Sequence, residues 1–171
     1  MVTENPGVQP DKLREIGLFR PFTDAELTQL AGIGETRSYE AHSNVVIEGE
    51  LSWGIFVNLE GNLAVLKNNP MTGHAFEVAE IRSGGMFGEM SLLDEQPRSA
   101  TVKCLDPCRL FMISKERFMA WLGQNQERKL RFYEHCTSDL VRRMRELNEN
   151  FVQGQYQLWK TAIHMKERRA S

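Results

Sequence analysis

The sequence has little that would mark a redox, metal or membrane protein. Its three cysteines, Cys104, Cys108 and Cys136, form no Cys-x-x-Cys pair, which argues against a disulfide framework or iron–sulfur cluster and fits reduced thiols in a cytoplasmic protein. Four histidines, His42, His74, His135 and His164, are scattered without a carboxylate or thiol at ligand spacing, so neither metal nor haem is expected. No apolar run approaches the ~20 residues of a membrane span. The polar start from Met1 to Asp11, with Pro6 and Pro10, reads as a flexible lead-in without the apolar stretch of a signal peptide. Neither sign of charge dominates: 21 Lys and Arg stand against 23 Asp and Glu, and this balance gives no reason to expect a nucleic-acid partner. The basic residues near the end, Lys160, Lys166, Arg168 and Arg169, read as a solvated tail. No nucleophile stands beside a base in the sequence pattern, so the chain is not expected to be an enzyme and needs no cofactor.

What is present suits one domain and an extension. The 171 residues are 41% hydrophobic and 26% charged, ordinary for a globular protein with a single core. The boundaries read as a flexible start at 1–11, a domain at 12–123 and a helical extension at 124–171. A short helix is expected from Lys12 to Phe19. A second begins at Thr23, where Thr23 and Glu26 have the spacing of a capping box and Leu27, Leu30 and Ile33 share a face. From Glu35 to Ile113 the texture becomes short β-favouring runs separated by Gly, Asn, Pro and Asp. Gly61-Asn62 suggests a tight hairpin, and the stretch from Asn68 to Gly73 a longer loop. The whole is a mainly β fold, a β-roll of jelly-roll type with flanking helices. Ser114 is placed to cap a helix carrying Phe118, Trp121 and Leu122 inward. Beyond Gln124, Leu130, Tyr133, Thr137, Leu140, Met144, Leu147 and Phe151 recur at spacings of three and four, a heptad seam. Leu158 and Met165 continue its phase, but a break is expected near Gly154. Such a seam serves either to pair two copies as a homodimer or to pack back on its own barrel.

The stretch from Gly84 to Val102 carries the chemistry. Gly84, Gly85 and Gly88 permit a tight turn and close backbone approach, and a short apolar helical turn around Met90, Leu92 and Leu93 follows. Pro97 sets a rigid bend directly before Arg98. Helix N–H groups and a guanidinium suit a phosphate. Glu89 would repel one, so its use is to accept a hydrogen bond from a ligand hydroxyl. A cyclic ribose phosphate has both groups. The bland reading is that Glu89 and Arg98 merely pair to close a loop. Val78 and Ile81 are placed to offer an apolar wall at the barrel's open side.

Phe87-Gly88-Glu89-Met90-Ser91-Leu92-Leu93 followed by Pro97-Arg98-Ser99-Ala100-Thr101-Val102 closely resembles the phosphate-binding cassette of cyclic nucleotide-binding domains. The resemblance implies that Glu89 takes the ribose 2′-hydroxyl and Arg98 the exocyclic phosphate oxygens, with the backbone around Gly88, Met90 and Ser91, and Ser99, completing the cradle. It also implies that the helix after the barrel caps the base, near Arg142, Arg143 and Leu147. Cyclic AMP is the expected ligand, with cyclic GMP the alternative, because Ser99 faces phosphate in some relatives and helps accept guanine in others. Ligand binding would move the cassette and, through Leu92 and Leu93, the following helices. Too little chain follows the long helix for the helix-turn-helix of the family's bacterial transcription factors, so the output falls to the dimer, a downstream protein or another domain. Readings as a fragment of a larger transcription regulator, or as a non-binding assembly module, stand beside this one.

Overall fold

A computed structural model describes residues 3–4, 8–51, 53–94 and 96–170, the side chains of 3–4, 91, 143, 157–158 and 161–170 excepted. The chain divides into two compact units, Met1–Leu130 and Arg131–Ser171. Nine strands are found among the described residues of the first unit: β1 (Thr3–Glu4), β2 (Glu35–Tyr39), β3 (Asn44–Val46), β4 (Gly54–Glu60), β5 (Leu63–Asn68), β6 (Ala75–Ile81), β7 (Met86–Phe87), β8 (Thr101–Cys104) and β9 (Cys108–Ser114). They form two antiparallel sheets, ordered β1-β2-β9-β4-β7 and β3-β8-β5-β6. The helices are α1 (Pro10–Arg14), α2 (Asp24–Ile33), α3 (Met90–Leu93), α4 (Lys115–Gly123) and α5 (Gln126–Ala170).

Alternation along the strands explains how the sheets face one another. Cys108, Leu110 and Met112 of β9 join Phe56 and Phe87 on one side of the core, and Val46, Leu63, Val102 and Cys104 supply the other. Burial pushes the Cys108 thiol up to about 12, so it stays protonated at neutral pH. Phe111 and Ile113 point to the opposite face of β9, where α4 packs on β4 and β9. β4 is therefore covered on both faces and reads as a nearly continuous apolar run.

The capping box of α2 is formed: Glu26 N–H donates to Thr23 Oγ1 at 3.3 Å, and Thr23 N–H to Glu26 Oε2 at 2.8 Å. Ser114 caps α4 by accepting from Arg117 N–H. Three expectations need correction. The helix from Lys12 splits, because α1 ends at Arg14 and a separate 3₁₀ turn occupies Gly17–Phe19. Gly61-Asn62 does not close a hairpin. β4 and β5 belong to different sheets, and Asn62 turns the corner by donating its N–H and its side-chain amide to the Asp106 carboxylate, both at 2.8 Å. These bonds hold the Asp106 carboxyl below its ordinary range. The hairpin is β5–β6, closed across Asn69 and His74. Finally, α5 runs through Gly154 without a break, since one glycine costs a helix only about 1 kcal/mol.

In the second unit, Leu140, Met144, Leu147 and Phe151 of the heptad seam are all exposed, as are Val152, Tyr156 and Trp159. Arg142 bonds to both Asp139 and Glu146 at helical spacing. The side chains of Leu158, Met165, Lys166, Arg168 and Arg169 lie outside the described residues. No helix is long and apolar enough to cross a membrane among the described residues.

Candidate functional site

The loop between β6 and α3 is anchored from below by Asn58. This fully buried residue exchanges backbone hydrogen bonds with the glycine turn, donating to Gly85 O and accepting from Gly84 N–H, both at 2.8 Å. Its side-chain amide donates to the carbonyls of Gly61 and Ile81. Gly84 and Gly88 have φ of +84° and +86°, the left-handed region that glycine adopts without strain. At Gly88 there is a second reason for glycine. A Cβ there would collide with Arg98 Nη1 and lie 2.8 Å from the Gly54 carbonyl oxygen. Changing Gly88→Ala therefore costs about 1–2 kcal/mol of stability from the backbone alone. It also displaces the guanidinium, so a lower thermal midpoint and weaker ligand binding are expected together; an unchanged midpoint would refute the clash.

Arg98 is 7% exposed, far below a typical surface arginine. Its Nη2 donates to the carbonyl of Gly54 at 2.6 Å, and its Cζ lies 5.6 Å from the ring centre of Phe56. Phe56 in turn stacks parallel on Phe87 at 4.8 Å and meets the edge of Trp53 at 5.0 Å. Burial pulls the Arg98 guanidinium below its ordinary value, and the charge of Glu89 works against that shift. The Arg98 main chain is tied on both sides, its N–H donating to Glu50 O at 2.8 Å and its carbonyl accepting from Gly49 N–H at 2.9 Å.

These residues surround an open cavity of about 270 Å³. Its apolar side is formed by Val46, Val65, Ile81 and Val102, and its polar side by Glu89, Asp94, Gln96, Arg98 and Ser99. Gly88 and Met90 also line it, although half of Met90 is exposed. A buried cation and a carboxylate share a pocket with one apolar wall, a combination able to hold an anion and a hydroxyl of the same ligand.

Of the residues singled out in the sequence, Gly88, Glu89, Met90, Arg98, Ser99 and Ile81 come together here. Val78 does not. The β5–β6 register passes from Val65 opposite Ala79 to Leu66 opposite Glu77, so Val78 is the extra residue of a bulge and stands half exposed on an edge strand. The side chains of Ser91 and Arg143 lie outside the described residues. Sequence reasoning missed Gly54 and Phe56, which hold the guanidinium, and Asp94 and Gln96, which line the mouth. A glycine at a strand start and a phenylalanine inside it carry no signal of that role. Among the described residues no group of three or more His, Cys, Asp or Glu could hold a metal.

Fold and cavity together define a β-roll domain with an open cavity built around the buried Arg98. The sequence profile of the cyclic nucleotide-binding domain matches residues 36–125, just over half of the chain, and the chain belongs to that family. It is 27% identical over 124 residues to a cAMP-dependent protein kinase regulatory subunit of Neurospora crassa, covering 71% of this chain and 31% of that protein. The chain spans less than a third of the length of the curated relatives it matches. Among solved structures, the regulatory domain of Toxoplasma gondii PKA in co-crystal with cAMP aligns with TM-score 0.62 and 26% identity, over 66% of this chain and 42% of that one. The Thermus thermophilus catabolite activator protein shares the fold at TM-score 0.68 and 24% identity, over 79% of this chain and 61% of that one.

Proposed function

We propose that this chain is a cyclic nucleotide receptor, with cyclic AMP as its ligand, and that it regulates rather than catalyses. The observation that carries this reading is the buried guanidinium of Arg98 in a cavity it shares with the Glu89 carboxylate. Arg98 pairs with the cyclic phosphate, Glu89 accepts from the ribose 2′-hydroxyl, and main-chain groups at Gly88, Met90 and Ser91, with the Ser99 hydroxyl, complete the cradle. Ile81, Val65 and Val102 offer the apolar wall for sugar and base. The relatives named above support cyclic AMP over cyclic GMP, since they are cAMP-dependent or cAMP-bound by name. A binding domain of this kind acts by its different affinity for two arrangements of the helices that follow it.

A thermal-shift comparison of cyclic AMP, cyclic GMP and AMP tests the reading. At one hundred times Kd a ligand adds about 2.7 kcal/mol, a shift of roughly 5–11 °C for a chain of this size. The largest shift is expected with cyclic AMP and little with AMP. No shift with any of the three would leave the fold as an assembly module. The exposed seam of Leu140, Met144, Leu147 and Phe151 favours a homodimer through α5, and a monomer in light scattering with and without nucleotide would remove that part.

A further inference from the structure

The ladder between β5 and β8 ends at Leu66 opposite Thr101, and the chain carrying Arg98 runs beyond that last rung. Main-chain pairing to β5 is therefore lost where the cradle needs it most. A side chain takes over. Lys67 Nζ donates to the carbonyl of Ser99 at 2.5 Å, one residue after Arg98, and to Glu48 Oε1 at 2.6 Å. The other carboxylate oxygen of Glu48 accepts from Asn68 N–H at 2.9 Å, and the Glu48 N–H donates to Thr101 Oγ1 at 2.9 Å. Glu48 also begins the turn whose next two residues, Gly49 and Glu50, hold the Arg98 main chain.

Three segments distant in sequence thus meet behind the guanidinium: the turn at 48–50, the end of β5 and the limb at 98–101. We infer that Glu48 and Lys67 are positioning residues for Arg98, a brace that sets ligand affinity without touching the ligand. The inference rests on the reading of the cavity as a cyclic nucleotide site. Neither residue lines the cavity among its described lining residues. The Lys67 side chain and the Asn68 N–H hold the Glu48 carboxyl below its ordinary range, so Glu48 is ionised at neutral pH.

The physical argument separates stability from binding. Side-chain exposures of 44% for Lys67 and 20% for Glu48 make this a pair of small intrinsic worth to the fold. Its effect on the site is larger because a bidentate grip depends on sub-ångström placement, and an unbraced limb must be ordered when ligand binds. Ordering one residue of main chain corresponds to about a tenfold loss of affinity.

Titration calorimetry with cyclic AMP, thermal unfolding without ligand, and amide hydrogen exchange at Gly49 and Arg98 test the brace together. Lys67→Met is expected to bind about tenfold more weakly, with its ligand-free midpoint within about 2 °C of the parent and faster exchange at both amides. Lys67→Arg, which keeps the charge, is expected to restore most of the affinity. Glu48→Gln, nearly isosteric, should reproduce the loss and decides the matter if Lys67→Met is poorly folded. In an Arg98→Lys background, Lys67→Met should cost much less than in the parent, because the grip it positions is already impaired. Parent-like affinity in both Lys67→Met and Glu48→Gln, no rescue by Lys67→Arg, or full additivity with Arg98→Lys each overturns the brace. A parent chain that binds no cyclic nucleotide brings down the reading of the site instead, and unchanged amide exchange in Lys67→Met then brings down the brace as well.

Discussion

Arg98→Ala is expected to weaken cyclic AMP binding by about 2–5 kcal/mol, roughly thirtyfold to several thousandfold, in titration calorimetry. The magnitude follows from where the guanidinium sits. At 7% exposure it would meet a bound anion with little water between them, and truncation would leave the phosphate without a cationic partner in a pocket that also contains the Glu89 carboxylate. Arg98→Lys should recover only part of the loss. An ammonium cannot present two parallel N–H donors, and the substitution removes the guanidinium whose Cζ lies over the Phe56 ring at 5.6 Å. Near-parental affinity for the alanine variant would remove Arg98 from the site.

Phe56→Ala is expected to destabilise the chain by about 3–5 kcal/mol, the range for deleting a large buried aromatic side chain. Phe56 has no exposed surface and joins the parallel ring of Phe87, the edge of Trp53 and the guanidinium of Arg98. Against a typical total stability of about 5–15 kcal/mol the loss is severe, and the thermal midpoint should fall by roughly 6–20 °C. Because the ring also supports Arg98, the folded fraction should bind cyclic AMP more weakly as well. Phe56→Leu, which refills much of the space, should recover more stability than affinity. A loss below about 1 kcal/mol for Phe56→Ala would contradict the packing described.

These two residues show how unevenly the site could be read in advance. Arg98 is visible in the sequence because it follows Pro97 and closes a glycine-led, short-helix pattern whose local chemistry is written in consecutive residues. Phe56 is not, since its contact with Arg98 joins positions 42 residues apart through a strand pairing that no local pattern specifies. The same division runs through the fold. The capping box at Thr23 and the N-cap at Ser114 depend on residues three apart and were legible. Gly61-Asn62 was misread because a turn between two apolar runs looks alike whether it closes a hairpin or passes between sheets, and the Asp106 carboxylate that decides it is 44 residues away. Val78 was misread because a bulge is a property of two strands together.

Sequence alone therefore determined the alternating strands, the helix starts, the glycine turn at Gly84 to Gly88 and the presence of Glu89 and Arg98 on one short segment, all of them written in residues close together along the chain. Tertiary structure decided which sheet each strand joined, which apolar residues faced the cavity, and what holds the guanidinium: the Gly54 carbonyl, the Phe56 ring and the Glu48–Lys67 pair behind Ser99. The reason is physical. Backbone periodicity and capping are short-range, whereas the position of a buried charge is set by whichever distant carbonyls and rings the packed sheets bring to it.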